Sequence, residues 1–388
     1  MKNIILIRAA SFGIRSIPPY GPLLLRSYLR KHGFCAYVYD REASRDNGLL
    51  RRFLIKCDPD MIGVSAMTCQ YDDAKYLMQK IRLWFGNKVR IVAGGVHFTA
   101  LPASGINAGA DYVIRGEGEI ALIKLMSGYF TEKNNIIQGE LLQQLDDIPL
   151  IEPEDIKPFI YKESFSLKGF YTVLTGRGCP YACNFCLGSD QRSRIIRYHS
   201  IKYIVELIKS INKEFRINSF FIPDDVFVIQ SSRVIEFCNL VSSNIPTPLN
   251  FHCFVHPGHG NPKLYKIMKK AGFHRISMGV EHGNDRVLEL AGRKTTKEII
   301  ERTCSQIYEA GIDLNLTYIL GNITETEETI RETVDFAIYL HKRYKASSWF
   351  SYMQPLPGSQ LYSVAEKYGR YLTEGHNYQN INPYYLPV

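Results

Sequence analysis

The sequence lacks several features that would place it in a familiar class of protein. No apolar run approaches the roughly 18 residues that a transmembrane helix needs. The apolar part of the N-terminus, residues 4–7, is too short for a signal peptide. The net charge is +9, but the basic residues occur singly or in pairs, without a nucleic-acid-binding motif or a basic stripe with interleaved aromatics. We therefore expect a cytoplasmic protein with no transmembrane segment and no nucleic-acid partner.

A disulfide framework and a dinucleotide fingerprint are also missing. Six of the nine cysteines are scattered singly, and the other three lie within eight residues. This distribution is typical of a reducing compartment and unlike that of a secreted, disulfide-bonded protein. No G-x-G-x-x-G motif follows the first apolar segment, so a dinucleotide site is not expected.

The first third of the chain alternates short apolar segments with amphipathic helical patterns. The apolar segments are residues 4–7, 36–39, 61–66, 89–93 and 112–114. Such alternation predicts an α/β domain, a doubly wound, Rossmann-like parallel sheet covered on both faces. Ligands of these sheets bind beyond the carboxyl ends of the strands. The residues expected there are Ser65, Thr68, Gly94, Gly95, His97, Gly116 and Gly118. The glycines either admit a large ligand close to the backbone or simply make tight strand-to-helix turns.

Three closely spaced cysteines form the most informative segment. Residues 175–186 read Thr-Gly-Arg-Gly-Cys-Pro-Tyr-Ala-Cys-Asn-Phe-Cys and follow an apolar strand. Thiolates of Cys179, Cys183 and Cys186 on such a loop can hold three irons of a [4Fe–4S] cubane and leave the fourth iron open. A structural zinc site would want a fourth ligand at metal spacing, but His199 is 13 residues past Cys186. A redox pair would more often show a lone C-x-x-C.

Strands and helices alternate again in the C-terminal half. The expected strands are residues 171–174, 219–222, 249–255, 276–280, 314–320 and 349–353. They predict a partial (β/α)6 barrel of the TIM type, with its site at the carboxyl ends of the strands. Asp224 and Asp225 follow the second of these strands, and Glu281 ends the fourth. Each carboxylate could instead be a helix cap or a surface charge. His252, on the third strand, is interpreted as a structural histidine, so no catalytic acid or base is assigned.

These motifs resemble those of a known family. The C-x-x-x-C-x-x-C spacing, with Phe185 before the last cysteine, is the signature of radical S-adenosylmethionine (SAM) enzymes. The segments 58–68, 92–97 and 111–119 look like the cobalamin-binding domain of the cobalamin-dependent members. The resemblance implies SAM contacts from Phe185, Asp224, Asp225 and Glu281. It also implies cobalamin contacts from the residues expected at the first sheet's strand ends: Ser65, Thr68, Gly94, Gly95, Gly116 and Gly118.

One departure from the cobalamin pattern follows the first strand. Many cobalamin domains have Asp-x-His-x-x-Gly there, whose histidine ligates cobalt, whereas residues 8–13 read Arg-Ala-Ala-Ser-Phe-Gly. The chain thus offers no lower histidine ligand at that position. The expected organisation is a cobalamin-binding-like domain over residues 1–125, a Pro-punctuated linker over 126–165, the radical SAM barrel over 166–365 and a short tail over 366–388.

The resemblance implies a function as well as a fold. A [4Fe–4S] cluster, SAM and cobalamin would act together, and methylcobalamin would donate a methyl group to an unactivated carbon of a small molecule, lipid or peptide in a biosynthetic pathway. One SAM would remethylate the cobalt and another would generate the radical. A flavodoxin or ferredoxin would supply electrons. The alternatives are radical cyclisation, dehydration or oxidation without methyl transfer, and a non-enzymatic iron–sulfur sensor.

Overall fold

The structure is a computed structural model that describes residues 2–11, 18–129, 135–159, 170–187, 194–371 and 385–387. Its contacts divide the chain into two compact units, residues 1–168 and residues 169–372. No helix among the described residues is both long and apolar enough to cross a membrane.

The first unit is built on a six-stranded parallel sheet. Its strands are β1 (Asn3–Arg8), β2 (Cys35–Asp40), β3 (Met61–Ser65), β4 (Arg90–Gly94), β5 (Tyr112–Arg115) and β6 (Ile136–Gln138), in the spatial order β2-β1-β3-β4-β5-β6. Its helices are α1 (Tyr20–Lys31), α2 (Asn47–Cys57), α3 (Tyr71–Phe85), α4 (Val96–Ala100), α5 (Pro102–Asn107), α6 (Glu119–Met126) and α7 (Pro153–Ile156). The order changes direction beside β1, as it does in doubly wound sheets.

Both faces of this sheet are covered, as the apolar strands predict. One hydrophobic cluster includes Leu50 and Leu54 of α2 and Leu77 and Ile81 of α3. The other includes Leu29 of α1 and Ala121, Leu122, Leu125 and Met126 of α6. The doubly wound prediction is therefore confirmed.

The sixth strand is a difference from the sequence-based picture. β6 lies within residues 126–165, which the sequence assigned to a linker, and it pairs with β5. Its middle residue, Ile137, is buried in the second cluster. A three-residue strand carries too little periodicity to stand out in the sequence, so only its pairing identifies it.

The second unit contains another six-stranded parallel sheet. Its strands are β7 (Phe170–Thr172), β10 (Ser219–Ile222), β11 (Asn250–Val255), β12 (Phe273–Glu281), β13 (Asp313–Leu320) and β14 (Ser347–Tyr352), in the spatial order β14-β13-β12-β11-β10-β7. The two-residue strands β8 (Gly176–Arg177) and β9 (Arg197–Tyr198) form a separate antiparallel pair. A further antiparallel pair consists of β15 (Gly369–Tyr371) and β16 (Tyr385–Pro387).

Helices follow the strands of this sheet in turn. They are α8 (Ile201–Phe215), α9 (Ser231–Asn244), α10 (Pro262–Lys270), α11 (Asp285–Leu290), α12 (Lys297–Glu309), α13 (Glu327–Tyr344) and α14 (Gln360–Tyr368). This is the (β/α)6 succession that the sequence predicts. It places the segments after β7, β10, β12 and β13 at one edge of the sheet, where sites of such repeats lie.

Candidate functional site

The three cysteines lie on one loop that follows β8, at the carboxyl edge of the second sheet. Two backbone contacts fix this loop: Asn184 N donates to Ala291 O at 3.0 Å, and Leu361 N donates to Asn184 O at 3.0 Å. Gly292 comes so close that a Cβ there would lie 2.8 Å from the Ala182 carbonyl oxygen, and its φ is +73°. The turn after α11 therefore packs directly against the backbone of the cysteine loop.

The thiols differ in exposure but influence one another. Cys183 is buried, Cys179 is half-buried and Cys186 is exposed. Burial raises the pKa of Cys179 and Cys183, and the neighbouring thiols raise it further. No three His, Cys, Asp or Glu side chains in the described ranges converge as ligands of one metal ion. In a cubane each thiolate binds a different iron, so the three cysteines need not converge on one point to hold a cluster.

Asp224 lies beneath the loop and binds the backbone of the chain just before it. The amide of Thr175 donates to Asp224 Oδ1 at 2.8 Å, and the Thr175 hydroxyl donates to Oδ2. Arg233 donates to Thr175 O at 3.0 Å and to His199 O at 2.9 Å. Burial raises the pKa of Asp224 to about 6. The Asp224 carboxylate therefore fixes the backbone that leads into the cysteine loop, and its oxygens bind Thr175 rather than a ligand.

Two other predicted SAM residues lie at the loop itself. Asp225 is exposed, and its charge raises the pKa of Cys179, which places the two side chains near each other. Phe185 is half-buried between Cys183 and Cys186. Of the adjacent pair, Asp225 is therefore the carboxylate on the cluster side.

Glu281 ends β12 and faces a buried arginine. Its Oε1 lies 3.9 Å from Arg293 Nη2, with 12% and 9% of the two side chains exposed. Burial raises the pKa of Glu281, and Arg293 opposes that shift. A Cβ on Gly279 would overlap the Glu281 carboxylate, so only glycine lets this side chain fold back over its own strand.

Arg293 is the site residue that the sequence did not reveal. Its Nη1 lies 3.8 Å from Cys183 Sγ, and its Nη2 donates to the Gly279 carbonyl. Its Nε is buried and has no hydrogen-bond partner in the described part of the chain. In the sequence it stands beside Lys294 in an interhelical turn, like an ordinary surface pair. The structure shows instead that it joins a cluster cysteine to Glu281.

The expected cobalamin residues lie where the sequence predicts, at the carboxyl ends of β3, β4 and β5. Thr68 is 8% exposed, and its Oγ1 has no hydrogen-bond partner among the described residues. Ser65 ends β3 and is half-buried. A Cβ on Gly94 would meet nothing within 4 Å. A hydroxyl without a partner among the described residues can bond an amide group of a ligand, and the open space at Gly94 leaves room near the backbone.

The other three glycines have local structural roles. A Cβ on Gly95 would lie 2.8 Å from the Ala66 carbonyl oxygen, and one on Gly118 would lie 3.2 Å from Leu25. Gly116 has a φ of +88°, which disfavours side chains there. Among these four glycines, Gly94 is the one at which a side chain would enter open space without a close contact or a positive φ.

Ala10 stands where the Asp-x-His-x-x-Gly pattern has its histidine, and polar contacts fix the chain on both sides of it. Arg8 binds Asp40 through two hydrogen bonds of 2.8 and 2.6 Å, and Ser11 binds the buried Glu42 through its amide at 2.6 Å. Phe12 and Gly13 lie outside the described residues. His97 is completely buried and stacks on Tyr71 at 4.3 Å, so it is not placed to ligate a bound metal.

A cavity of about 390 Å³ lies elsewhere in the first unit, against β2. It is lined by Arg26, Tyr37, Val38, Tyr39, Asp40, Ala43, Ser44, Phe53, Glu154, Asp155 and Pro158. None of the predicted cofactor residues lines it, so we assign it no cofactor.

Comparisons with known proteins agree with this arrangement. The B12 binding domain family matches residues 15–126, and the Radical SAM superfamily matches residues 173–337. An uncharacterized methyltransferase of Pyrococcus horikoshii is 26% identical over 99% of this chain and 87% of its own length. An anaerobic magnesium-protoporphyrin IX monomethyl ester cyclase of Rubrivivax gelatinosus is 24% identical over 82% of this chain, which spans only 62% of that relative.

A solved structure shares the fold of both units. It is the radical SAM methyltransferase TsrM from Kitasatospora setae with cobalamin and a [4Fe–4S] cluster bound, at 20% identity and a TM-score of 0.77, covering 95% of this chain and 75% of that one. The two matched domain families imply a [4Fe–4S] cluster, SAM and cobalamin as cofactors. The chain therefore contains a B12 binding domain and a Radical SAM domain, and it shares the fold of a cobalamin-dependent radical SAM enzyme.

Proposed function

We propose that the protein transfers a methyl group to an unactivated carbon of a small molecule, lipid or peptide in a biosynthetic pathway. One observation carries the radical half of the proposal: Arg293 links the cluster cysteine Cys183 to Glu281 at the strand ends. A bare iron–sulfur sensor would need the thiols, but not a buried carboxylate and guanidinium arranged beside them.

The residues of this pocket suit SAM. Within the part of the chain that the structure describes, Arg293 Nε is a buried donor without a partner, which a carboxylate such as that of SAM would satisfy. Glu281 can accept hydrogen bonds from two ribose hydroxyls. Asp225 is near Cys179, and we assign its carboxylate to the SAM ammonium. The protein side of the mechanism is to bind, orient and exclude water, while the cofactors supply the 5′-deoxyadenosyl radical and the methyl group when bound.

The relatives support methyl transfer and leave one rival. A methyltransferase matches almost the whole chain, whereas the cyclase matches 82% of it. The cyclase favours, as the second candidate, radical cyclisation or oxidation with the same cofactors. A flavodoxin or ferredoxin is the proposed electron donor.

The open face of the second sheet indicates what kind of substrate group fits there. Its six strands contain only three charged residues, Arg275, Glu281 and Asp313. On β11, His252 and Phe254 are half-buried, alternating with fully buried neighbours, and Phe221 of β10 packs 5.4 Å from Phe254. Burial lowers the pKa of His252 to about 4, so it is neutral. This face of the sheet favours an uncharged, partly apolar substrate group, because a charged group would lose its hydration there without gaining an ion-pair partner.

The products of SAM distinguish the candidates. We would reconstitute the protein anaerobically with iron, sulfide and methylcobalamin, and incubate it with SAM, a flavodoxin system and candidate substrates. Methyl transfer should yield both S-adenosylhomocysteine and 5′-deoxyadenosine. Formation of 5′-deoxyadenosine alone would favour cyclisation or oxidation, and absence of both products in every incubation would contradict the enzymatic proposal.

A further inference from the structure

Glu281 occupies an unfavourable backbone conformation. Its φ is +67°, and the His282 amide donates to the Val280 carbonyl at 2.9 Å, closing a three-residue turn centred on Glu281. A turn of this hand is rare and strained. A non-glycine residue at positive φ costs roughly 1–3 kcal/mol and persists only where the surroundings enforce it. Something must therefore hold this turn.

The next residue, His282, is anchored through both ring nitrogens. Its Nδ1 lies 3.2 Å from Glu325 Oε1, and its Nε2 lies 3.3 Å from Asn322 Nδ2. The side chains of His282 and Glu325 are 0% and 1% exposed. Glu325 Oε2 also accepts hydrogen bonds from the amides of Gly321, at 2.7 Å, and Asn322, at 2.8 Å. One buried carboxylate thus joins the end of β12 to the end of β13.

Two further contacts continue this attachment. The Gly283 amide donates to Thr333 Oγ1 at 2.9 Å, and Asn284 Nδ2 donates to Glu332 Oε2 at 2.5 Å. Both partners lie on α13. A Cβ on Gly283 would lie 2.6 Å from Thr333 Cα, so the segment fits closely against the helix. Three successive residues after Glu281 are therefore fixed, with His282 the one next to the strained turn.

We infer that the buried His282–Glu325 pair is a positioning device that holds Glu281 in the conformation required to bind SAM. The inference rests on the proposed role of Glu281 in the SAM pocket. Without the imidazole, the turn would relax toward negative φ, and the carboxylate would leave its place over Gly279 and beside Arg293. His282 would then act through Glu281, without touching the ligand itself.

The test measures SAM binding to the anaerobically reconstituted full-length protein by calorimetry. Glu281→Ala and His282→Ala should each weaken SAM binding by about tenfold or more, with iron content unchanged. His282→Asn should recover most of the affinity, because an asparagine amide can occupy the position of Nδ1 and donate to Glu325. In turnover, His282→Ala should raise the KM for SAM and leave kcat nearly unchanged.

Two further substitutions test Glu325, the partner of His282, and control for misfolding and for a general effect of charge. Glu325→Gln preserves shape and should also weaken SAM binding. Glu327→Gln removes an exposed charge two residues away and should have no effect; its side chain is 83% exposed. If Glu281→Ala weakens SAM binding while His282→Ala and Glu325→Gln stay within about twofold of wild type, the positioning role is wrong. If Glu281→Ala itself has no effect, the SAM pocket of the proposed function is wrong.

Discussion

At the residue scale, Asp224 shows how a family motif residue can take a supporting role. The sequence grouped Asp224 and Asp225 as a pair of SAM carboxylates. The structure separates them, because Asp224 is 7% exposed and binds Thr175 whereas Asp225 is exposed beside Cys179. Only the three-dimensional contact with Thr175, 49 residues earlier, distinguishes the two neighbours.

The buried Asp224 gives a pH prediction. Burial raises its folded-state pKa from 3.8 to about 6, so the folded state holds the proton more tightly than the unfolded state. The contribution of Asp224 to the free energy of unfolding is therefore greatest below pH 4. It decreases as the pH rises from 4 to 6, by about 3 kcal/mol in total. Asp224→Asn should remove this loss. Denaturant unfolding of both proteins should show the variant gaining relative to wild type across that window; a constant difference would contradict the prediction.

Gly94 provides the sharpest single-residue test of cobalamin binding. A side chain there would enter open space at the end of β4, whereas one at Gly95 would strike the Ala66 backbone and disturb the fold. Gly94→Leu should therefore weaken cobalamin binding by about tenfold or more without unfolding the protein. Lys88→Leu is the control, since Lys88 is exposed at the amino end of β4, at the opposite edge of the sheet. Equal retention of cobalamin by both variants after gel filtration would argue against this site.

At the scale of elements, the sequence predicted the regular alternation but not the contacts between distant segments. Five strands of the first sheet and six of the second follow apolar runs in the sequence. Burial on both faces produces such runs in the first sheet, whereas β14 of the second sheet is mostly exposed. β6 was missed because it is three residues long. Arg293 and the His282–Glu325 pair were missed because each depends on partners 12 to 110 residues away. Local patterns do not encode such pairings, whereas the cysteine spacing is local and was readable.

The turn after α11 gives an element-scale prediction. Gly292 and Gly311 have φ values of +73° and +75°, but only a Cβ at Gly292 would press on the cysteine loop. Alanine at either position should cost about 1 kcal/mol for its left-handed backbone. Gly292→Ala should also displace the loop and lower the iron bound after anaerobic reconstitution, while Gly311→Ala should retain it. Iron and sulfide assays decide between them, and equal iron in both variants would show that the turn does not support the loop.

At the scale of the whole molecule, the two compact units predict that the two cofactor sites load independently. Each unit has its own six-stranded sheet, and the cysteines and the Gly94 region belong to different units. Replacing Cys179, Cys183 and Cys186 by alanine should abolish the cluster of about four irons that wild type binds, yet leave cobalamin bound. Gly94→Leu should do the reverse. Cys57→Ala and Cys238→Ala, which alter cysteines outside the loop, should change neither.

A spectrum of the cobalamin-loaded protein tests whether a histidine of the chain ligates cobalt. His97 is fully buried and stacked on Tyr71, and burial lowers its pKa to about 4, so it serves the packing of the first unit. After β1, Ala10 stands at the position where the cobalamin pattern has its histidine. Bound cob(II)alamin should therefore show an electron paramagnetic resonance spectrum without nitrogen splitting from a protein histidine, and His97→Ala should leave it unchanged. Histidine splitting that disappears in His97→Ala would mean that the first unit rearranges to ligate the metal.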